Sequence, residues 1–389
     1  MASGEKEKQV TAQTSSRYAL NNRRNDFGRK RIDPPVPNGE EVEEEPAMRA
    51  TSLVASALVA CLLLPAPCAA AEAALVAAAK REGQVVWYTT LIVNQAVRPL
   101  AKAFEEKYPG IAVRYSRADS GPTALKILNE ARAARLQADV FDGNGTVPPL
   151  VRAGLVAAWL PPTAAGYPAE LKDPSGRWIS TNLYFLTPGI NTRLIPPGEA
   201  PRTLEDLLDP KWRGRIAWSN NPTAGAGTFI GTVLRRLGDD SGLAYLRALA
   251  GQRIVSVDAT SRAVLDQVIT GEHAMALDIF NHHAVLSAAK GAPVDWLKLE
   301  PVAAPIQVAS LLKDAPHPNA GKLLLEFLTS EDGQRIFASV DYIPAMPGIA
   351  AKVPSLKPEA GGFVADVLPP EVLAQNTERW MTILKELFQ

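Results

Sequence analysis

Short apolar runs alternate with helically spaced apolar positions between residues 84 and 141. Buried strands are predicted at Gln84 to Thr90, Ile111 to Tyr115 and Ala138 to Phe141. Between these runs, apolar residues recur at helical spacing from Val93 to Phe104 and from Leu125 to Leu136. A strand–helix–strand–helix–strand order is typical of a parallel, wound α/β sheet, and we predict that fold class here.

The same alternation continues to the end of the chain, without an internal repeat. Further strands are predicted at Ile179 to Asn191, Arg215 to Ser219, Ala274 to Leu277, Pro293 to Leu299 and Ile306 to Leu312. Further helices are predicted at Ala73 to Arg81, Leu204 to Leu208, Phe229 to Leu237, Val285 to Ala289, Asn319 to Val340 and Val372 to Leu387. Residues 159–177 are rich in Pro and Gly and are predicted to form a surface loop.

Three of the predicted strands end in short polar turns, and in a wound sheet such turns meet at one edge. Their hydroxyls and backbone amides at helix N-termini can bind an anion. Arg117, beside the second turn, can donate charge-assisted hydrogen bonds to a carboxylate or phosphate. The candidate ligand-binding residues of these turns are Thr89, Thr90, Arg117, Ser120, Gly121, Asn144 and Thr146. The alternative is that they are plain helix caps and solvated loop positions.

A second group of candidates follows two later strands. The turn after Ser219 is rich in small residues and precedes a helix, which again favours an anion site. A polar cluster follows Leu277, and we interpret it as one jaw of a ligand-binding cleft. The candidate residues of this group are Thr223, Gly225, Gly227, Thr228, Asp278, Asn281, His282 and His283.

The adjacent His282 and His283 allow three interpretations. Neighbouring side chains on a helix diverge by about 100°, so we expect one of the two at most to face a ligand. The histidines can donate hydrogen bonds to an anion, bind a soft metal together with Asp278, or belong to the ordinary polar surface. His273 and His317 are interpreted as surface residues.

The N-terminal part of the chain differs from the rest. Residues 1–47 are polar, mixed in charge and without apolar periodicity, so we predict that they are disordered. Residues 48–71 have the pattern of a secretory signal peptide, with Met48-Arg49, an apolar segment from Leu53 to Leu64 and a final Ala69-Ala70-Ala71. We therefore expect translation to start at Met48 and export to the periplasm with cleavage near Ala71. A cytoplasmic tail on a signal anchor is the alternative.

Composition narrows the function. The 389 residues include 41 Lys or Arg and 41 Asp or Glu, a balance that favours neither nucleic acid nor an anionic membrane as a partner. Both cysteines, Cys61 and Cys68, fall within the predicted signal peptide, so the mature chain has no thiol for a disulfide, a zinc site or a nucleophile. The sequence contains no nucleophile elbow, phosphate-loop lysine motif or zinc-protease motif. We predict a monomeric binding protein without a cofactor, and not an enzyme.

Several segments resemble the type 2 periplasmic solute-binding proteins of ABC importers, specifically the ferric-iron-binding-protein-like branch of extracellular solute-binding family 1. They occur in family order, at Val85–Thr89, Ala138–Phe141, Ala153–Val156, Leu207–Gly214, Lys290–Val294 and Phe327–Gln334. The resemblance implies two wound α/β lobes that are joined by two hinge strands and close on one ligand. By analogy, lobe 1 comprises residues 72–185 and 305–350, and lobe 2 comprises residues 186–304 and 351–389.

The resemblance does not extend to the iron ligands. Ferric binders of this branch hold the metal with a His after the first strand, a Glu after the third strand and a Tyr-Tyr pair. This chain has no His in Thr89–Val93, has Asn144 at the position of the Glu, and has His282-His283 in place of the pair. Imidazole is a softer donor than the tyrosinate and carboxylate that suit ferric iron. We therefore expect a small organic anion, namely a phosphate ester, a phosphonate or a carboxylate.

The implied role is capture of this solute in the interlobe cleft for import. The implied partners are the small-molecule ligand, an inner-membrane ABC permease and its ATPase. Two alternatives stay open. The first is binding of ferric iron or another metal with a synergistic anion, and the second is delivery of a ligand to a sensor.

Overall fold

The computed structural model describes residues 67–196, 198–220 and 225–389. The predicted N-terminal extension, residues 48–66 of the predicted signal peptide, and Thr223 lie outside the described residues. Among the helices of the described ranges, none combines the length and the apolarity that crossing a bilayer requires.

Twelve strands in the described residues form one sheet. They are β1 (Gln84–Thr89), β2 (Ala112–Arg117), β3 (Val140–Asp142), β4 (Ile179–Leu183), β5 (Leu186–Asn191), β6 (Ile216–Ser219), β7 (Val255–Val257), β8 (Met275–Phe280), β9 (Val294–Trp296), β10 (Val302–Leu311), β11 (Ile343–Pro344) and β12 (Ala365–Leu368). The main path runs in the order β2-β1-β3-β10-β5-β8-β6-β7.

Helices cover this sheet. They are α1 (Pro67–Glu82), α2 (Arg98–Lys107), α3 (Ser120–Arg132), α4 (Val147–Arg152), α5 (Ala226–Leu237), α6 (Asp239–Ala250), α7 (Ser261–Thr270), α8 (Asn281–Ala288), α9 (Pro318–Thr329), α10 (Glu331–Ser339), α11 (Pro358–Gly361) and α12 (Pro370–Phe388). A π-helical turn, Val93–Val97, precedes α2. Short 3₁₀ helices lie at Pro162–Gly166, Ala169–Leu171, Glu205–Leu208, Pro210–Trp212 and Pro354–Leu356.

The two ends of the sheet are parallel and the middle is antiparallel. β1 pairs in parallel with β2 and β3, and β6 pairs in parallel with β7 and β8. Between these ends, β10 pairs antiparallel with β3, β4 and β5, and every residue of β10 is buried. A strand buried on both faces reads as a continuous apolar run, which is why β10 could be recognised in the sequence. The predicted α/β fold class is confirmed.

Separate hydrophobic clusters support the two ends of the sheet. Trp87, Phe104 and Phe327 are buried in one cluster against β1 and α9. Trp218 and Trp380 are buried in another, where the C-terminal helix α12 packs on α5. A Cβ atom on Gly231 would lie 2.5 Å from the Trp380 ring, so α5 needs a glycine there for the two helices to meet.

The structure corrects several predicted element boundaries. The predicted helix Asn319 to Val340 is divided at Ser330, which adopts extended backbone and accepts a hydrogen bond from the Gly333 N–H as the N-cap of α10. The predicted strand Ile179 to Asn191 is two strands, with Tyr184 and Phe185 between them. The predicted loop 159–177 contains two 3₁₀ helices. The sequence analysis missed α6 and α7, because charged and small residues interrupt their apolar spacing.

Strand β8 runs on to Phe280, so Asp278 lies inside the strand and not in the turn that we predicted. Thr187 pairs with Ile279 and Gly189 pairs with Ala276, so two residues of β8 lie opposite the single residue Pro188. This β-bulge places Asp278 at φ +57°, a left-handed conformation that bulged positions adopt. Pro188 has no N–H to donate to the ladder, which explains why the bulge forms there.

Candidate functional site

A cavity of about 360 Å³ lies beside the carboxyl ends of β1 and β8. Residues from the segment after β1, the end of β4 and the segment after α10 form one wall, and residues from α7, β8 and α8 form the other. Its lining comprises Thr90, Ile92, Gln95, Leu183, Tyr184, Arg262, Phe280, His282, His283, Leu286, Asp341, Tyr342 and Ile343. The volume falls within the range of small-molecule sites, about 300–1,000 Å³.

Helix α8 brings both histidines into this cavity. The helix begins directly after β8, and the Asn281 N–H is fixed by a 3.0 Å hydrogen bond to the Phe185 carbonyl. His282 and His283 are therefore in the first helical turn, where no preceding turn restricts their side-chain rotamers. Their ring centroids are 4.3 Å apart, and both rings line the cavity. The prediction that the two side chains diverge is wrong, and the number of histidines that contact a ligand stays a prediction.

The histidines are neutral in the folded protein. Burial lowers the pKa of His282 to about 3, with further contributions from His283 and Arg262. Burial also lowers the pKa of His283 to about 4, and the Arg262 charge acts in the same direction. The Nδ1 atom of each ring is buried without a hydrogen-bond partner. These Nδ1 atoms are enclosed by protein, so a ligand in the cavity would contact the two rings through their remaining atoms, where a hydrogen bond to an imidazole would contribute to binding.

Two tyrosines form the opposite part of the wall. Pairing of Ile343 with Leu183 between β11 and β4 brings the preceding Tyr342 opposite Tyr184, and their ring centroids are 6.5 Å apart. Burial raises the pKa of both phenols, so both remain protonated donors at neutral pH. The Tyr342 oxygen accepts a 3.3 Å hydrogen bond from the Ile92 N–H, which leaves its own proton for another acceptor.

Thr90 is held at the cavity wall by a buried carboxylate. Asp142 accepts hydrogen bonds of 2.7 Å from the Thr90 N–H and from the Thr90 hydroxyl. It also accepts bonds of 2.9 Å from Trp87 Nε1 and from Gln307 Nε2. Because Gln307 belongs to β10, this network fixes the cavity wall to the strand that both halves of the sheet share.

Residues from all three predicted polar turns meet around Gly143. A Cβ atom on Gly143 would lie 2.7 Å from the Thr146 hydroxyl, 2.8 Å from the Ser120 hydroxyl and 2.9 Å from a Thr90 methyl group. Gly143 also has φ +110°, a backbone conformation in which any residue other than glycine is strained. The strand-end argument thus placed Thr90, Ser120 and Thr146 together correctly as neighbours, and their role in ligand binding stays a prediction.

Other candidates of the first group lie apart from the cavity lining. Thr89 is fully buried and its hydroxyl accepts a hydrogen bond from the Leu91 N–H. Arg117 forms an exposed 3.2 Å ion pair with Asp119 at the end of β2. Gly121 is exposed at the start of α3, and Asn144 is half-buried after β3.

Asp278 and the start of α5 form a separate arrangement. The buried Asp278 carboxylate accepts a 3.1 Å hydrogen bond from the Phe229 N–H in the first turn of α5. Burial raises its pKa well above the usual range of a carboxyl. Asp278 borders a cavity of only about 20 Å³, distinct from the one beside the histidines. Gly225 is the N-cap of α5, and Gly227 and Thr228 are buried within the helix.

Asn281 has a structural contact. Its side-chain nitrogen donates a 3.3 Å hydrogen bond to the Leu356 carbonyl, and its side-chain oxygen is buried without a partner. His317 is not a surface residue, because its Nδ1 lies 2.9 Å from the buried Asp139 carboxylate. Within the described ranges, no group of three or more His, Cys, Asp and Glu side chains is arranged to hold a metal ion.

Sequence reasoning missed several residues of the cavity wall. Tyr184 lies where the chain crosses from β4 to β5, and Tyr342 lies in the turn between α10 and β11. Phe280 was assigned to the polar turn, and Arg262 belongs to the missed helix α7.

Comparison with known proteins places this geometry in context. The model of the bacterial extracellular solute-binding protein family matches residues 85–340. The Fe(3+)-binding periplasmic protein of Serratia marcescens is 24% identical over 283 residues, which cover 69% of this chain and 82% of that protein.

Two solved structures are also similar to this chain. The iron-bound HitA from Pseudomonas aeruginosa has 27% sequence identity and a TM-score of 0.65, covering 79% of this chain and 99% of that chain. The Trichodesmium protein IdiA (FutA), solved in complex with iron and citrate ligands, has 19% identity and a TM-score of 0.67, covering 79% of this chain and 100% of that chain. At this lower identity the second likeness is one of fold.

Proposed function

Because the chain belongs to the bacterial extracellular solute-binding proteins, we propose that it captures a small organic anion in the cavity beside His282 and His283. The resemblance to periplasmic solute-binding proteins of the ferric-iron-binding-protein-like branch is confirmed. The chain is a binding protein and not an enzyme, and it serves as the periplasmic solute-binding component of ABC-type import. The ligand, the signal peptide at residues 48–71 and the monomeric state are parts of the proposal.

The side chains that line the cavity support an organic anion as the ligand. Two neutral imidazoles and two protonated phenols offer hydrogen bonds, and Arg262 adds a positive charge. Apolar side chains such as Ile92, Leu183 and Leu286 line the rest. A cavity of about 360 Å³ is far larger than a bare metal ion, and its apolar part matches the carbon frame of an organic solute.

We propose that the two halves of the sheet act as lobes with the boundaries implied by the resemblance. Residues 72–185 and 305–350 form lobe 1, and residues 186–304 and 351–389 form lobe 2. The positions of Thr90 and Tyr342 on one wall and His282 on the other support closure on a ligand between them. Closure would stabilise the ligand-bound form, which docks on the inner-membrane permease with its ATPase.

A thermal-shift and calorimetry panel tests the proposal. The panel contains carboxylates, phosphate esters and phosphonates, together with ferric citrate and zinc. We expect an organic anion to raise the melting temperature, because a ligand that binds the folded state stabilises it. His282→Ala should weaken binding of that anion by about 1–3 kcal/mol through loss of a buried hydrogen bond. His273→Ala, at a histidine outside the cavity, is the control, and an equal loss in both variants would move the site elsewhere.

The pH dependence of binding gives an independent prediction. A bound anion favours the protonated form of a neighbouring imidazole, so binding takes up protons. The affinity should rise as the pH falls, by up to about ten-fold per pH unit for each imidazole that is neutral in the free protein and protonated in the complex. Calorimetry in buffers of different ionisation enthalpy measures the proton uptake directly. Net proton release on binding would contradict the anion proposal.

Ferric iron is the second candidate. The iron-bound HitA, at 27% identity, and the Fe(3+)-binding relative favour it. The side chains around the cavity that can bind a metal are Tyr184, Asp341, Tyr342, His282 and His283, and the remaining volume can hold an organic chelator. Metal ligands must lose protons, so iron binding would release protons and weaken as the pH falls. The sign of the proton linkage therefore separates the two candidates.

A further inference from the structure

Aromatic rings dominate the wall of the proposed binding cavity. Tyr184, Phe280, His282, His283 and Tyr342 all line it. The Tyr184 ring centroid lies 5.4 Å from that of Phe280, 6.3 Å from that of His282 and 6.5 Å from that of Tyr342. The Phe280 centroid lies 5.6 Å from that of His282 and 5.3 Å from that of His283. These five rings, which we call the aromatic wall, surround one space.

Four members of the aromatic wall are only half-buried, namely Tyr184, Phe280, His282 and His283. The fifth, Tyr342, is buried at the edge of the first hydrophobic cluster, where its ring lies 6.0 Å from that of Phe337. The centres of the two clusters contain Trp87, Trp218 and Trp380 instead. Both imidazoles are neutral in the folded protein, so they present ring faces and not positive charges. Aromatic pairs prefer tilted or offset geometry at centroid distances of about 4.5–7 Å, and the rings of the wall are already spaced in this way.

We propose, building on the anion-binding function above, that the solute is an aromatic or heteroaromatic organic anion. Its planar ring lies against the aromatic wall. Its acid group accepts hydrogen bonds from the Tyr342 hydroxyl, whose oxygen already accepts one from the Ile92 N–H, and from the imidazoles that line the cavity. Arg262, which is paired with Asp266, adds a guanidinium group to the same wall.

An aromatic cage can also bind an organic cation, and the hydrogen-bond donors at the wall, rather than its charges, favour an anion. Asp341 is the one carboxylate among the described residues that line this cavity, and it is paired with Lys352 at 3.0 Å. Arg262 is paired in the same way with Asp266 at 2.7 Å, and it also donates to the Ser287 hydroxyl. The paired charges balance, whereas the Tyr342 hydroxyl proton needs an acceptor, which an acid group supplies and an organic cation does not.

Paired probes of equal charge test the proposal. We would titrate the protein with benzoate and cyclohexanecarboxylate, and with phenyl phosphate and cyclohexyl phosphate, and follow binding by saturation-transfer NMR. Benzyltrimethylammonium, inorganic phosphate and ferric citrate complete the set. The aromatic member of each pair should bind about ten-fold more tightly than its saturated counterpart.

A matched pair of variants locates the preference. Phe280→Leu keeps an apolar side chain of similar volume but removes one ring of the wall, so it should reduce the aromatic-to-saturated affinity ratio to near one. Tyr115→Leu, which removes an exposed ring on β2 outside the cavity, should leave the ratio unchanged. The ratio is insensitive to a uniform loss of folded protein, so a destabilised variant can still be interpreted.

The outcomes separate this inference from the proposed function. If saturated and aromatic acids bind equally, and His282→Ala weakens both, the anion site stands and the aromatic inference falls. If no aromatic acid binds, or if benzyltrimethylammonium binds more tightly than benzoate, the inference is overturned. If ferric citrate alone binds and releases protons, both this inference and the anion function are overturned.

Discussion

When glutamine replaces both His282 and His283, we expect the free energy of unfolding to fall by about 4 kcal/mol less between pH 8 and pH 5 than it does in the wild type. Burial holds the pKa of His282 at about 3 and that of His283 at about 4, against 6.5 for an ordinary histidine. Below pH 6.5 the unfolded chain therefore binds more protons than the folded chain, and folding stability falls with pH. Each histidine contributes about 2 kcal/mol to this loss at pH 5.

Urea denaturation at a series of pH values measures the effect. The absolute stability of the double variant matters less than its slope against pH, because glutamine changes the packing at every pH alike. The buried Asp278 carboxyl has a raised pKa and therefore acts in the opposite direction, favouring the folded state as the pH falls. It is present in both proteins and cancels in the comparison.

His273→Gln is the control for this experiment, because it removes a histidine outside the cavity and leaves the buried pair intact. The wild-type slope should persist in that variant. A double variant that lost stability with falling pH as steeply as the wild type would show that the two imidazoles are not neutral in the folded protein. The hydrogen-bonding scheme of the cavity would then need revision.

The same two histidines show which features of the site could be predicted from the sequence. The adjacency of a buried strand and a polar cluster was enough to identify them as candidates, because strand ends in wound sheets face clefts. Their directions could not be derived from helical geometry alone. The 100° rule describes Cα–Cβ bonds, whereas the side-chain rotamers adopted in this first helical turn bring the ring centroids to 4.3 Å.

The first half of the fold was predictable for a physical reason. Strands β1 and β3 are largely buried, so each appears as an apolar run, and the helices on either side of the more exposed edge strand β2 have clear periodicity. Asp278 was not predictable, because its backbone conformation depends on Pro188, a residue about ninety positions earlier in the chain that pairs with it only in the sheet.

The two cavity tyrosines depend on tertiary register in the same way. Tyr184 and Tyr342 are separated by more than 150 residues, and only the pairing of β4 with β11 brings them together. No local pattern marks either residue as part of a site. The absence of the expected His, Glu and Tyr ligands argued against a bare ferric ion at those positions. It could not show that the fold places other donor side chains nearby.

Replacing Asp142 by alanine is expected to lower the free energy of unfolding by about 3–5 kcal/mol. The carboxylate accepts hydrogen bonds from Trp87 Nε1, from both donors of Thr90 and from Gln307 Nε2, and it is buried. Alanine would remove the acceptor of Trp87 Nε1 and of both Thr90 donors, whereas Gln307 Nε2 would keep its 2.6 Å hydrogen bond to the Thr90 hydroxyl. Urea denaturation at neutral pH measures the loss.

Asp142→Asn is the matched variant, because the amide oxygen can still accept from Thr90 and Gln307 while the amide nitrogen faces Trp87 Nε1. It should cost about 1 kcal/mol, the value of a single hydrogen bond. Equal losses in the two variants would show that the network contributes through side-chain volume and not through its hydrogen bonds. Because Thr90 lines the cavity, the alanine variant should also weaken ligand binding under conditions in which it remains folded, and the asparagine variant should retain it.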